Sequence, residues 1–246
     1  MAVNIGTVGA ANWYSAWARG ASSPVVSGNM SVVGTDADRI LIGFITRDAT
    51  TTISSVVLDA AGTNQALVLI NGVNNGAGQR VELWGLLNPA AVGSAGITVT
   101  FSGSGEVTVA GAVFRGADQG ALAATCVFSS STGTTNAATA SVPTANGSAT
   151  VSVSCDDKSR SGSNPGGVQT TIEISNVVID SCAGYTLSSG AADTHTWAYS
   201  GACAWALGCL LIYATGQVPS TGQFARPAST VAAGLVRFDL TGHKIL

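Results

Sequence analysis

Along most of the chain, apolar and polar residues alternate one for one. In ITVTFSG (97–103), Ile97, Val99 and Phe101 alternate with Thr98, Thr100 and Ser102. That period puts one face of a β-strand on a core and the other toward solvent. ATVSVSC (149–155) repeats it, with Val151, Val153 and Cys155 set against Thr150, Ser152 and Ser154, and TTIEIS follows through Ile172 and Ile174. Three runs are apolar on both faces: RILIGFITRD (39–48), VELWGLLNP (81–89) and VTVAGAVFRG (107–116). Such runs predict central strands covered on both sides. Gly111, inside the last of them, marks a bulge or a close approach of backbone. Segments rich in Gly, Asn, Ser and Pro, among them DAAGTN, NGVNNGAGQ, SGSGE and PTANGS, separate the strands. No window sustains a helical period; AWARGA and DQGALAA offer one turn at most. The pattern predicts an all-β protein: an antiparallel jelly-roll-like β-sandwich over residues 24–214, with an extended N-terminal arm (1–23) and a C-terminal extension (215–246).

The uncharged stretch THTWAYSGACAWALGCLLIYA (194–214) tests that reading. Its apolar run is shorter than the ~20 residues needed to cross hydrocarbon as a helix. Taken two by two, His195, Trp197 and Tyr199 share one face; beyond Ser200–Gly201, Cys203, Trp205, Leu207, Cys209, Leu211 and Tyr213 share another. Ala204, Ala206 and Gly208 fall on the opposite side. Large residues on one face and small on the other suit a central strand beneath a second sheet. On one continuous strand Cys203 and Cys209 stand about 20 Å apart, far beyond the roughly 7 Å that a disulfide spans.

Composition narrows the function classes. Hydrophobic residues make up 46% of the chain, charged residues 9%, and the net charge is -3. Disorder requires the opposite balance. The surface must therefore be covered by Ser, Thr, Asn, Gly and Ala, and so little charge favours association. Lys and Arg are scattered singly with no basic stripe, which removes the electrostatic basis of nucleic-acid binding. No cationic residue precedes Arg19, so a secretory signal is not expected. Cys126, Cys155, Cys182, Cys203 and Cys209 include no CxxC pair and lack zinc-site spacing. They read as small buried hydrophobes, with one or two disulfides as the alternative.

Catalytic signatures are sparse. No GxSxG elbow occurs, and of the two histidines His195 lies near Asp193 on a strand while His243 lies in the tail. A spatial Ser–His–Asp triad through His195 is one option; a hydrogen-bonded structural histidine is the expectation. Glu82, Glu106 and Glu173 are the three glutamates, and only Glu82 and Glu173 fall inside clear strands, a thin basis for paired-carboxylate glycoside chemistry. Asp36 with Asp38, and Asp156 with Asp157, offer oxygen ligands to calcium but do not match an EF-hand loop; turn formation is the commoner use. Asn29-Met30-Ser31 and Asn146-Gly147-Ser148 match glycosylation acceptors. No catalytic residue, metal or cofactor is expected.

The ends hold the interface candidates: Trp13, Tyr14 and Trp17 in the first arm, and Phe224, Arg226, Arg237 and Phe238 in the last. Aromatic and arginine side chains are enriched in interface hot spots. The alternative is that both arms wrap their own sandwich.

The succession DRILIGFITRD, TTISSVVLDAAG, VELWGLLNP, GITVTFSGSGEVTVAGAVFRGADQ and WALGCLLIYA, within residues 36–214, resembles β-sandwich proteins of bacterial surfaces and of tailed-phage virions. LWGLLNP and FRGADQ are its distinctive pieces. The long C-terminal extension and the expected lack of a signal turn the resemblance toward the virion. It implies a non-enzymatic virion structural protein, a capsid decoration or cement protein made in the host cytoplasm. Its partners would be the major capsid protein or other virion subunits, and further copies of itself in a homo-oligomer. A carbohydrate- or receptor-binding β-sandwich module of a phage tail or bacterial surface is the alternative. Neither nucleic acid nor membrane is an expected partner.

Overall fold

The alternating segments are strands, and the runs apolar on both faces lie at the centres of sheets. The structure, a computed structural model, describes residues 4–5, 14–33, 38–48, 50–76, 78–144, 147–156, 162–163, 170–175, 181–188, 192–215, 237–238 and 244–245. The first strands are β1 (Asn4–Ile5), β2 (Tyr14–Gly20), β3 (Val25–Val26), β4 (Met30–Val32), β5 (Ile40–Asp48) and β6 (Thr52–Leu58). β7 (Gln65–Ala66), β8 (Val68–Asn74), β9 (Gln79–Leu87), β10 (Val92–Ala95), β11 (Ile97–Ser102) and β12 (Val107–Arg115) follow. A single helical turn, α1 (Leu122–Thr125), leads into β13 (Cys126–Gly133), β14 (Ala137–Val142) and β15 (Ala149–Asp156). β16 (Gly162–Ser163), β17 (Thr170–Ser175), β18 (Ser181–Leu187), β19 (Asp193–Tyr199) and β20 (Trp205–Ile212) complete the second half. β21 (Arg237–Phe238) and β22 (Lys244–Ile245) pair with each other.

The expected all-β antiparallel sandwich is the observed class, and within it the strands divide into two sandwiches. In the first half an inner sheet runs β1-β12-β5-β9-β8, with β2 also on β12, and an outer sheet runs β3-β11-β6-β7. In the second half the inner sheet runs β13-β20-β15-β18-β17 and the outer sheet β14-β19-β16. Three cores separate these four layers. Leu41, Ile45, Val109 and Val113 meet Val56, Leu58, Val99 and Phe101 between the first two. Ile42, Phe44, Leu83 and Phe114 meet Val151, Val153, Leu210 and Ile212 between the inner sheets. Trp205, Leu207, Cys209 and Leu211 meet Val142, Trp197 and Tyr199 in the last.

The structure differs from the sequence reading in the N-terminal arm and in the burial of one strand. The segment assigned to an N-terminal arm includes β2, an edge strand whose Val107–Gly20 and Ala112–Tyr14 pairings place it in the first inner sheet. AWARGA therefore lies largely in a strand, whereas DQGALAA does supply the turn of α1. ATVSVSC is not half-exposed: every residue of β15 is buried, because its hydroxyl face lies beneath the second outer sheet. Apart from Thr215, β21 and β22, the C-terminal extension lies outside the described residues.

The FRGADQ segment joins the halves. Ala117 bridges Ala214, Thr215 N donates to Gly116 O at 3.0 Å and Asp118 N to Tyr213 O at 2.9 Å. Thr215 Oγ1 donates to Asp38 Oδ2 at 3.0 Å, and Gln119 Nε2 donates to the carbonyls of Arg39 and Ala117. Gly116 adopts φ 71° to make this junction, a conformation that favours glycine.

Gly111 fulfils both expectations. The β12–β2 register shifts between Val109 and Gly111, and a Cβ at this position would stand 2.4 Å from Ile97 Cδ1, 2.9 Å from Met30 Cε and 3.3 Å from the Ile42 carbonyl. A branched side chain there must displace the core between the first two layers, which costs roughly 1–3 kcal/mol. Gly111→Val should lower the urea midpoint accordingly, with an unchanged slope; an unchanged midpoint would show that the core accommodates it.

Candidate functional site

The candidate chemistry lies in the core between the second inner and second outer sheets. β15 directs Thr150, Ser152 and Ser154 toward β19, whose inward residues are Asp193, His195, Trp197 and Tyr199. The two strands are cross-linked rung by rung. Thr150 Oγ1 donates to Asp193 Oδ2 at 2.8 Å, Trp197 Nε1 donates to Ser152 Oγ at 3.1 Å, and Ser154 Oγ lies 2.5 Å from the Tyr199 hydroxyl. Ser154 Oγ also lies 3.0 Å from the Ala206 carbonyl. Each hydroxyl on β15 thus meets a long polar side chain opposite it. Losing one partner here leaves a buried donor or acceptor unsatisfied, at a cost of about 1–3 kcal/mol.

His195 is buried, with Nε2 2.8 Å from Thr150 Oγ1. The threonine hydroxyl has one proton and gives it to Asp193, so Nε2 carries the imidazole proton and donates. Nδ1 faces the interior without a partner. Burial lowers the His195 pKa from 6.5 to about 4. The residues of a triad are therefore near one another, but Asp193 and His195 both meet Thr150, and His195 and Thr150 are wholly buried. The arrangement ties two sheets together as a structural hydrogen-bonded histidine does.

Two smaller polar groups lie elsewhere. Thr46, Thr108 and Ser181 share hydroxyl contacts of 2.5, 2.6 and 3.0 Å between the inner sheets. Glu82, nearly buried, accepts from Arg47 Nε at 2.9 Å, Arg80 Nε at 2.8 Å and Trp84 Nε1 at 3.0 Å. Arg19 pairs with Glu106 at the same end of the first half. Neither Glu82 nor Glu106 faces a second carboxylate in these contacts. Among the described residues, no group of three His, Cys, Asp or Glu side chains is placed to hold a metal ion. No described helix is long and apolar enough to cross a membrane.

All five cysteines are buried and none forms a disulfide. Burial pushes the Cys126 thiol up to about 12 and raises that of Cys209 as well.

The interface candidates are not brought together. Trp13, Phe224 and Arg226 lie outside the described residues. Tyr14 pairs through its backbone with Ala112, and Arg237 and Phe238 pair with Ile245 and Lys244; the side chains of these three lie outside the description. Trp17 is described: its half-buried ring packs against the core between the inner sheets, with Nε1 unpartnered within the chain. What sequence reasoning missed is the β15–β19 ladder. Its signal was the pairing of one hydroxyl-alternating strand with one strand alternating His, Trp and Tyr.

The fold and its buried polar ladder define an all-β antiparallel protein of two stacked sandwiches. Comparison with protein-family models, with curated proteins and with solved structures gives no match in any of the three.

The depressed His195 pKa carries a pH dependence of stability. The unfolded chain takes up this proton as pH falls through 6.5 while the folded chain resists until about 4. The contribution is therefore complete above pH 6.5 and is lost on acidification, by up to roughly 3 kcal/mol. Urea midpoints should fall between pH 7 and pH 5 in the wild type and fall less in His195→Gln; identical profiles would contradict the assignment. Separately, an aromatic disulfide reagent at pH 8 should leave all five thiols unmodified in the folded protein and modify all of them in denaturant. Prompt labelling of the folded protein would refute their burial.

Proposed function

We propose that this protein is a non-enzymatic structural subunit of a virion, of the capsid decoration or cement type, acting through contacts with capsid or other virion subunits and with its own copies. The observation that carries the reading is where the polar chemistry lies. The described histidine and all five cysteines are buried within the stack, and Thr150, Ser152 and Ser154 serve to bind one sheet to the next. The outer faces carry neutral hydroxyl pairs instead, Thr139 with Thr196 and Ser141 with Thr194. Val26, Val68, Leu69 and Leu187 are the more exposed large aliphatics. A weakly charged body whose polar groups are spent inside the stack suits lasting contact with neighbours better than it suits turnover of a substrate.

Particles purified from infected cells should carry the protein at fixed stoichiometry. Removing residues 216–246 should abolish that association while the truncated protein keeps its melting temperature within a few degrees. A truncated chain that still binds particles removes the role given to this segment. If the isolated protein binds glycans or cells but never co-purifies with shells, the carbohydrate- or receptor-binding reading replaces this one.

A further inference from the structure

The two halves repeat one topology. Setting aside β1, β7 and the separate β4–β10 pair, which have no counterpart in the second half, eight strands remain in each half; in chain order the inner sheet reads first, eighth, third, sixth, fifth: β2-β12-β5-β9-β8 in one half and β13-β20-β15-β18-β17 in the other. The outer sheet reads second, seventh, fourth: β3-β11-β6 and β14-β19-β16. All eight strands correspond.

The inner sheets are also stacked by a regular rule. β8 lies against β13, β9 against β20, β5 against β15, and β2 against β17, while β9 also reaches β15 and β8 also reaches β20. β12 meets β18 through Phe114 and Tyr185, whose rings form an edge-on pair at 6.1 Å. The first strand of each half thus covers the fifth of the other, the sixth covers the eighth, and the third covers its own counterpart. Thr46 near the end of β5 touches Ser181, which pairs with Cys155 near the end of β15, so the two third strands run the same way. A half-turn about an axis along β5 and β15 approximately exchanges the halves. This is the geometry of an isologous dimer within one chain.

The surfaces that meet on that axis are not alike. β5 presents Ile40, Ile42 and Phe44, whereas β15 presents Val151, Val153 and Cys155. Two copies of the first half joined in this way would crowd Phe44 and the isoleucines against themselves, and overpacking is costly. Two copies of the second would leave an unfilled gap, which is costly too.

We infer that the chain is a tandem repeat of one eight-stranded sandwich whose inner faces, one bulky and one slender, select each other over a like half. The partner of each surface is the unlike half of the same chain. This inference is independent of the virion reading.

The test uses the whole chain with a protease site placed at exposed residues 119–121. After cleavage the halves should remain one species by size exclusion with light scattering. Separated in denaturant and refolded as an equimolar mixture, they should return to the unlike pair with at least about tenfold preference over either homodimer. A statistical mixture of pairs, or no recombination, overturns the selectivity. Because separated halves can fail to refold, a permuted chain, 121–246 followed by 1–120, supplies a second measurement. It should bury its thiols and melt within a few degrees of the original, and an unfolded permutant overturns the equivalence of the halves.

Discussion

The stack depends on the contact between the two inner sheets. A sheet buried on both faces has no side on which to place an unsatisfied polar group, so every strand in it must solve two packing problems at once. The first inner sheet solves both largely with hydrocarbon, Ile42 and Phe44 on one side of β5 balanced by Leu41 and Ile45 on the other, and its few buried polar groups, Thr46, Thr108 and Glu82, are each hydrogen-bonded. The second solves one with hydrocarbon and the other with hydroxyls. Val151 and Val153 enter the central core while Thr150, Ser152 and Ser154 are each met by a partner on β19. That choice accounts for a neutral buried histidine, since an imidazolium at the same place would need a counter-charge that Thr150 cannot provide.

Much of this was legible in the sequence, for identifiable reasons. The runs around Ile42, Leu83 and Val109 have no polar face, so they had to be central, and WALGCLLI had to put its small side on one sheet and its large side on another. The burial of β15 was not legible. Alternation ordinarily signals water on one side, and nothing in ATVSVSC says that its hydroxyls will find Asp193, Trp197 and Tyr199. The division into two sandwiches was hidden for a related reason. What repeats is the order of strand pairing, which is set by contacts between distant segments, while RILIGFITRD and ATVSVSCD share little beyond being strands. Of the proposed interface residues only Trp17 has a described side chain, and its ring serves the chain's own core. Aromatic composition marks a residue that will be buried without saying by what.

The weak charge of the chain also finds its place. Arg47 and Arg80 both bind Glu82, and Arg19 binds Glu106, so much of a small set of charges is paired locally. Solvation of the outer sheets falls to threonine and serine. Hydroxyls keep such faces wet without the long side chains that charged residues would have to immobilise on forming a contact.

The junction at Ala117 and Ala214 gives the molecule a polarity. β1 is held against Phe114 and Arg115, β2 begins opposite Ala112, and the second half ends at Thr215 beside Gly116. Both ends of the folded body therefore open at one pole. The turns beyond Asp48, Asn75 and Ser102 lie at the other. Thr215 therefore leaves the stack at the pole where β1 and β2 enter it, so the chain is led out of the body where it was led in.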